Sequence, residues 1–527
     1  MKTKLLYFLL FFAIHTRTQT LNERFHFDYP ATIFTSLVST DSAYYVNGLV
    51  VDTAYFPKDA NIFTKIGFDG NIEWLRVLNS PNETYETWLG DLIDLQEEGF
   101  IINGYGVDST MHNLILRYNP EGHLIWHKKY RNYFDNEGFA RSQGFIPVNN
   151  NSFLHLSWET NPQGTNNSDI VIAKIDTDGN IIWQRSYGQS NRRDVPWDGI
   201  YKNENAYLIS GYQTNSNVVD QNYISRAIIF QVDSLGNKQW EWSSPSGELW
   251  DGVNAMVASE DGGLIIASGK GVEEYINPGL NGLYWKNVTI LKLNEDREVV
   301  WEKDFYPSNR RSLNNSFNQI IASSDNSGFV AVGQYVYLNY DVVDSIGSPA
   351  GDFYGFIAKV SSEGDSLWAR RLNYVTEIGE SQHYIYDISE TSDGGYILCG
   401  EVKDDQLFDH YQQAWLIKID EYGCVVPGCH LVNDVEVPER VKPQLLLYPN
   451  PVQDRLNVFL KDASILKRKQ TALQIINQQG QLLKHFSIGK SDEVTHMIAI
   501  DNFPSGTYYL QYLEGHNVLQ SKSFIVH

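Results

Sequence analysis

The chain has 527 residues, enough for a large core or for two domains. Its 64 Asp and Glu against 41 Lys and Arg give a net charge of −23, which repels phosphate backbones and anionic lipid and argues against nucleic acid as a partner. Aromatic residues make up 13%, a share suited to pleated, half-buried surfaces.

Lys2 and Lys4 precede an apolar run over residues 5–14. That run is too short to span a bilayer, and the pattern is that of a secretory signal peptide over residues 1–20. No later segment reads as a transmembrane helix. Residues 23–29, Glu-Arg-Phe-His-Phe-Asp-Tyr, alternate polar and aromatic side chains as an isolated strand would.

From residue 63 one phrase recurs: an apolar strand, an acidic turn with Gly, and a strand carrying Trp. It occupies residues 63–74, 116–126, 173–183, 230–240, 291–301 and 358–368, and a seventh copy, 417–427, has Pro427 in place of Trp. The turn positions Gly70, Gly122, Gly179, Gly236, Arg297, Gly364 and Gly423 lie 52 to 67 residues apart, a period that marks a repeat architecture. Each unit holds four short strand patterns. The second strand follows turns such as Glu260-Asp261-Gly262-Gly263, in which Asp-Gly and Gly-Gly supply the positive φ of tight hairpins. Counting second strands (44–51, 100–104, 153–158, 207–211, 264–269, 329–333 and 396–400) predicts an all-β fold, a seven-bladed β-propeller over residues 21–431. The seventh unit lacks a full last strand. Residues 23–29 are expected to pair there, because an unclosed ring would leave bare edges at the seam.

Aligning first strands by the repeat places Asp91, Asp198, Asp251 and Asp387 at their heads, with Trp197 and Trp250 just before two of them and Thr35, Ser142 and Asn318 in the remaining units. First strands surround a propeller axis, so these are candidate ligand-binding residues around one mouth, suited to a polar ligand or a hard cation. The residue types favour the plainer alternative, in which each Asp caps its own turn. Asp176 and Asp178 read as turn residues, without the spacing of a calcium loop. Segments 213–225, 270–286, 334–354 and 402–412 read as long loops on the same face. They carry Tyr284, Trp285 and Tyr340, an aromatic and acidic surface that suits carbohydrate or peptide. No Gly-x-Ser-x-Gly, His-Glu-x-x-His or Walker pattern occurs. No catalytic residue, metal ligand or cofactor is assigned, and a structural cation is left open.

Cys424 and Cys429 flank a short loop that in an exported chain is expected to close as a disulfide. Cys399 lies in an apolar strand pattern, as a core thiol does. A charged, Pro-containing linker covers residues 432–444. Residues 445–527 carry 8 basic and 6 acidic side chains, unlike the acidic repeats. Their alternation with Gly turns predicts about seven short strands in a small Ig-like sandwich.

Two resemblances follow from these residues. The phrase Lys174-Ile-Asp-Thr-Asp-Gly-Asn-Ile-Ile-Trp183 resembles the repeat of quinoprotein-type propellers, in which the Trp docks between blades. It implies a structural role for Trp74, Trp126, Trp183, Trp240, Trp301 and Trp368, and a shape without a chemistry. The tail closely resembles the type A C-terminal sorting domain of the type IX (Por) secretion system. Tyr448-Pro449-Asn450-Pro451, the turn at 477–480, and Pro504-Ser505-Gly506-Thr507-Tyr508 carry that resemblance. It implies passage through the periplasm and the outer membrane of a Gram-negative bacterium, recognition by the translocon and sortase, and release or attachment at the cell surface. The reading is a secreted or cell-surface β-propeller that binds a glycan, peptide or adhesion ligand. The alternatives are an extracellular polysaccharide-degrading enzyme and a purely structural surface protein.

Overall fold

The computed structural model describes residues 20–527 except 53–57, 89, 135–136, 150, 162–166, 190–191, 216–224, 246–249, 251, 275–283, 306–314, 344–348, 375–380, 405–411, 432–443, 462–470, 489–492, 501 and 515–516. The leader and almost all of the linker therefore lie outside the described residues. The chain divides into two units, Met1–His430 and Leu431–His527.

The first unit is all strand apart from two single-turn 3-10 segments among its described residues. Its strands form seven successive antiparallel meanders among the described residues. The first is Thr32–Ser39, Tyr44–Asp52, Lys58–Ile66 and Ile72–Leu78. The second has a divided first strand, Thr84–Glu86 and Leu92–Asp94, then Phe100–Val107, Met111–Tyr118 and Leu124–Tyr130. The third runs Ala140–Asn149, Ser152–Thr160, Ser168–Asp176 and Ile181–Tyr187, and the fourth Arg192–Asn203, Ala206–Asn215, Ser225–Val232 and Lys238–Ser243. The fifth is Ala255–Ala258, Leu264–Glu274, Tyr284–Leu293 and Val299–Phe305, and the sixth Ser316–Ala322, Phe329–Val343, Pro349–Val360 and Ser366–Leu372. The seventh takes three strands from Ser381–Glu390, Tyr396–Asp404 and Gln412–Ile419. Its fourth is Leu21–Phe25, antiparallel to the third from Leu21↔Lys418 to Phe25↔Ala414. The pairing segment thus starts two residues earlier than the alternation over 23–29 suggested.

A positive φ at each repeat turn, from 67° at Arg297 to 85° at Gly364, explains the recurrent Gly. These glycines have a second role. A Cβ on Gly122 would stand 2.4 Å from the Trp74 ring, and one on Gly179 would stand 3.0 Å from Trp126. Gly236, Gly364 and Gly423 meet Trp183, Trp301 and Trp368 in the same way. Each meander's Trp thus lies on the turn of the next. Where Arg297 replaces Gly, its guanidinium sits 4.8 Å from the Trp240 ring centre. At the seam Leu21, from the borrowed strand, lies 2.7 Å from a Cβ position on Gly70. Contacts therefore run from each meander to its successor and from the seventh back to the first. These Trp rings are partly buried, so truncating one costs less than the about 3–5 kcal/mol of a fully buried Trp.

Two sequence expectations need correction. Segment 334–354 is not mainly a loop, because the sixth meander's central hairpin extends through it, in register from Gln334↔Gly355 to Asn339↔Ala350. Tyr335, Val336 and Tyr337 are β-formers that continue the strand. The alignment of first-strand heads also slips. First strands carry a β-bulge, for example between Pro196 and Asp198 and between Ile385 and Asp387, and one extra residue shifts any count by repeat spacing. By register, the residues equivalent to Asp198 and Asp387 are Ser36, Gly144 and Gln319 rather than Thr35, Ser142 and Asn318. In the fifth meander Ala255 pairs with Ala267 as Gly199 pairs with Ile209, so Asn254 takes the place assigned to Asp251.

The second unit is a two-sheet sandwich. One sheet holds Gln444–Tyr448, Arg455–Lys461 and Glu493–Ala499; the other runs Leu482–Ser487, Thr471–Asn477, Gly506–Glu514 and Asn517–Val526. Leu456, Val458, Leu473, Ile475, Leu510 and Phe524 fill its core. The Pro449-Asn450-Pro451 segment ties down the last strand: the Ile525 amide donates to Asn450 Oδ1 at 2.8 Å, and the His527 amide to the Val452 carbonyl at 3.1 Å. Tyr508 packs on Phe503 and Phe524 and donates its hydroxyl to the Pro504 carbonyl at 2.6 Å, while Tyr448 is half exposed.

Candidate functional site

The first strands bring Asp91, Asp198 and Asp387 together. Each keeps partial exposure, yet burial raises all three carboxyls, Asp198 and Asp387 to about 6 and Asp91 to about 8. The charges of Asp198 and Asp387 add to the rise at Asp91, so the three face a common interior space. Their partners are backbone amides of the following meander. Phe145 donates to Asp91 Oδ2 at 2.8 Å, Met256 to Asp198 Oδ2 at 2.9 Å and Leu37 to Asp387 Oδ2 at 2.8 Å. Asp198 and Asp387 also accept the amides of Gly199 and Ile388, at 2.7 and 2.8 Å. Asn254 does the same work in the fifth meander, donating to Phe317 O at 2.8 Å. These Asp residues cap backbone, but mostly across a joint rather than within their own turn, and the Leu37 bond spans the seam.

The other expected residues fall in three places. Trp250 is core, packed with Val253, Met256 and Ile266, because its bridge to Lys270 turns it inward. Trp197 is the bulged residue, half-buried, with its ring 5.6 Å from Tyr212. Asp251 and the side chains of Tyr284, Trp285 and Tyr340 lie outside the described residues. Cys424 and Cys429 form a disulfide with Cα atoms 5.6 Å apart, and Cys399 is a buried free thiol.

A second cluster escaped the sequence reading. Asp59 (first meander, third strand), Glu86 and Tyr105 (second meander) and Arg141 (third meander) meet at the end of the sheets where second strands turn into third strands. The Glu86 carboxyl interacts with both the Asp59 carboxyl and the Tyr105 hydroxyl. Burial raises both carboxyls, and Asp59 adds to the rise at Glu86 while Arg141 opposes it. Neighbouring like charges disfavour ionising both groups at once. Burial, with Glu86 beside it, also pushes the Tyr105 phenol well above its ordinary range and keeps it a donor. The Arg141 guanidinium stacks 4.8 Å from the Tyr105 ring centre, and its Nε is buried without a partner. Trp88, two residues past Glu86, faces Tyr386 of the seventh meander at 6.3 Å, and Tyr386 donates to Glu401 at 2.7 Å. The sequence signal was present but weak: charged residues near strand ends in three consecutive units.

Two other acid clusters are already neutralised. Glu83 and Asp108 beside His112 are held by Lys129 (2.6 Å to Glu83) and by the Arg131 fork on Asp108 (3.0 and 2.8 Å). Near Asp420 and His430, the Cys424 sulfur is taken by the disulfide.

Searched against curated proteins, the chain finds no match. Three solved structures align with the chain at 10% identity or less. One is a polysaccharide lyase (9% identity, covering 73% of this chain and 90% of that one, TM-score 0.43). Others are a lectin from Burkholderia pseudomallei (7%, 72% and 97%, TM-score 0.41) and an α-L-arabinanase from Penicillium chrysogenum (10%, 76% and 99%, TM-score 0.35). Among the described residues no helix is long and apolar enough to cross a membrane. Residues 446–527 match the family model of the secretion system C-terminal sorting domain, a tail that marks the protein for type IX export to the cell surface or the medium.

Proposed function

We propose that this protein is an exported seven-bladed β-propeller that binds a polar, carbohydrate-type ligand at the end of the ring bearing Asp59, Glu86, Tyr105 and Arg141. An Ig-like tail delivers it to the outer surface through the translocon and sortase. The circuit of Trp-on-turn contacts, completed by Leu21 on Gly70, supports the closed ring. The single observation behind the site is the cluster itself. It offers donors and acceptors in one place, with Trp88 and Tyr386 as ring platforms close by. Sugar hydroxyls exchange with such groups, and sugar faces stack on such rings.

Binding is favoured over hydrolysis because Asp59 and Glu86 interact as one pair, whereas glycosidase carboxyls stand roughly 5–9.5 Å apart to admit a sugar carbon or a water. A phenol held protonated is a poor base for elimination. The test is a glycan and peptide array probed with the wild-type chain, Glu86→Gln and Arg141→Ala. Wild type should capture a defined class of glycan, and both variants should lose it. An empty wild-type array would overturn the reading, and turnover of a soluble polysaccharide would replace it with the enzyme alternative.

A further inference from the structure

The joint between the third and fourth meanders buries three side chains whose polar atoms lack partners. Asn167, Asp169 and Asp194 are 3%, 5% and 1% exposed. Neither amide atom of Asn167 has a hydrogen-bond partner, nor do Asp169 Oδ1 and Asp194 Oδ1. Ser168 pairs in parallel with Arg193 and donates its hydroxyl to the Asp194 carbonyl at 3.4 Å. Asn167 and Asp169 flank Ser168 and so share one face of the strand. The second oxygens are already used, Asp169 Oδ2 by Asn161 at 3.0 Å and Asp194 Oδ2 by the Gln189 amide at 3.3 Å. Room is kept by Gly188, where a Cβ would stand 2.2 Å from Asp169 Oδ1. Gly188, Gln189, Asp194 and Gln213 line a cavity of about 50 Å³.

We propose that Asn167, Asp169 and Asp194 hold a hard divalent cation, calcium, that joins the third and fourth meanders. Two carboxylates and an amide oxygen are hard ligands, with no nitrogen or sulfur ligand to favour zinc. An irregular oxygen set suits calcium better than magnesium, which demands a near-ideal octahedron. Among the described residues, the nearby cations bond to other groups: Arg192, whose charge also lowers Asp194, donates to Gln213 at 3.5 Å, and Lys238, at the cavity, pairs with Glu241. This site is separate from the proposed ligand cluster and does not depend on it.

The experiment uses the full chain, stripped with chelator and returned to calcium or magnesium at neutral pH, with thermal unfolding as readout. Terbium emission sensitised by Tyr187, which lines the cavity, is the second readout. Calcium should raise Tm and displace terbium, and magnesium should do so less. Asp194→Asn and Gly188→Ala should lose both responses. In chelator Asp194→Asn should unfold at the wild-type Tm or above, because Asn keeps an acceptor for the Gln189 amide. A calcium shift of the same size in Asp194→Asn, or no calcium shift in wild type, would overturn the site.

Discussion

Two sets of buried carboxyls lie in the first unit of the chain. Both are raised by burial, so titration alone does not distinguish them. Their partners do. Asp91, Asp198 and Asp387 accept backbone amides from the next meander, partners that cannot leave without breaking a strand. Asp59 and Glu86 interact with each other, and Glu86 with a tyrosine hydroxyl, partners that a ligand can replace. A perturbed carboxyl marks a functional site only when its bonds are exchangeable, and otherwise it is a staple that tolerates its burial.

The largest expected effect that would break this comparison is at the seam. Asp387→Ala leaves the Leu37 amide without its acceptor and opens the joint that the borrowed strand closes. Leaving a buried donor unsatisfied costs about 1–3 kcal/mol. Urea unfolding should therefore show a lower midpoint, and an unchanged midpoint would mean the staple is decorative. The next effect is on pH dependence. A carboxyl raised in the folded state favours the fold below its unfolded value near 4 and loses that contribution as pH rises through its folded value. For the three Asp residues that window runs from about 4 up to 6 for Asp198 and Asp387, and to about 8 for Asp91. Tm should fall as pH rises from about 4 to 8, and Asp91→Asn should flatten the upper part of the slope. A Tm that climbs over this window would place the raised groups elsewhere.

The repeat was legible because its signals are local. Gly at a positive-φ turn and Trp four residues later are read from single positions, and each proved to touch its neighbour in the next unit. The borrowed strand was legible from the missing Trp at Pro427 and the alternation near residue 23. The site was not. Bulges at Trp197 and Tyr386 add one residue that no repeat count detects, and by register the equivalent of Asp198 in the fifth unit is Asn254, three residues past Asp251. The Asp59 cluster joins three units and includes a divided first strand, Thr84–Glu86 and Leu92–Asp94. Its residues show neither periodicity nor a spacing, only proximity that the ring creates.

The smallest effect on stability belongs to Glu86→Gln, and it sharpens the comparison most. Gln is nearly isosteric and can donate to Asp59 while accepting from Tyr105, so the local contacts survive. The urea midpoint should move by no more than about 0.5 kcal/mol, the range of substitutions away from critical contacts. Titration behaviour should change instead, because Glu86 is the partner that lowers the Asp59 carboxyl against its burial. Ligand capture should fall, because a fixed amide cannot reverse its donor and acceptor roles as a carboxyl pair does. If Glu86→Gln destabilised the unit as much as Asp387→Ala, the two sets would be the same kind of staple, and the ligand site would have to be sought on another part of the ring.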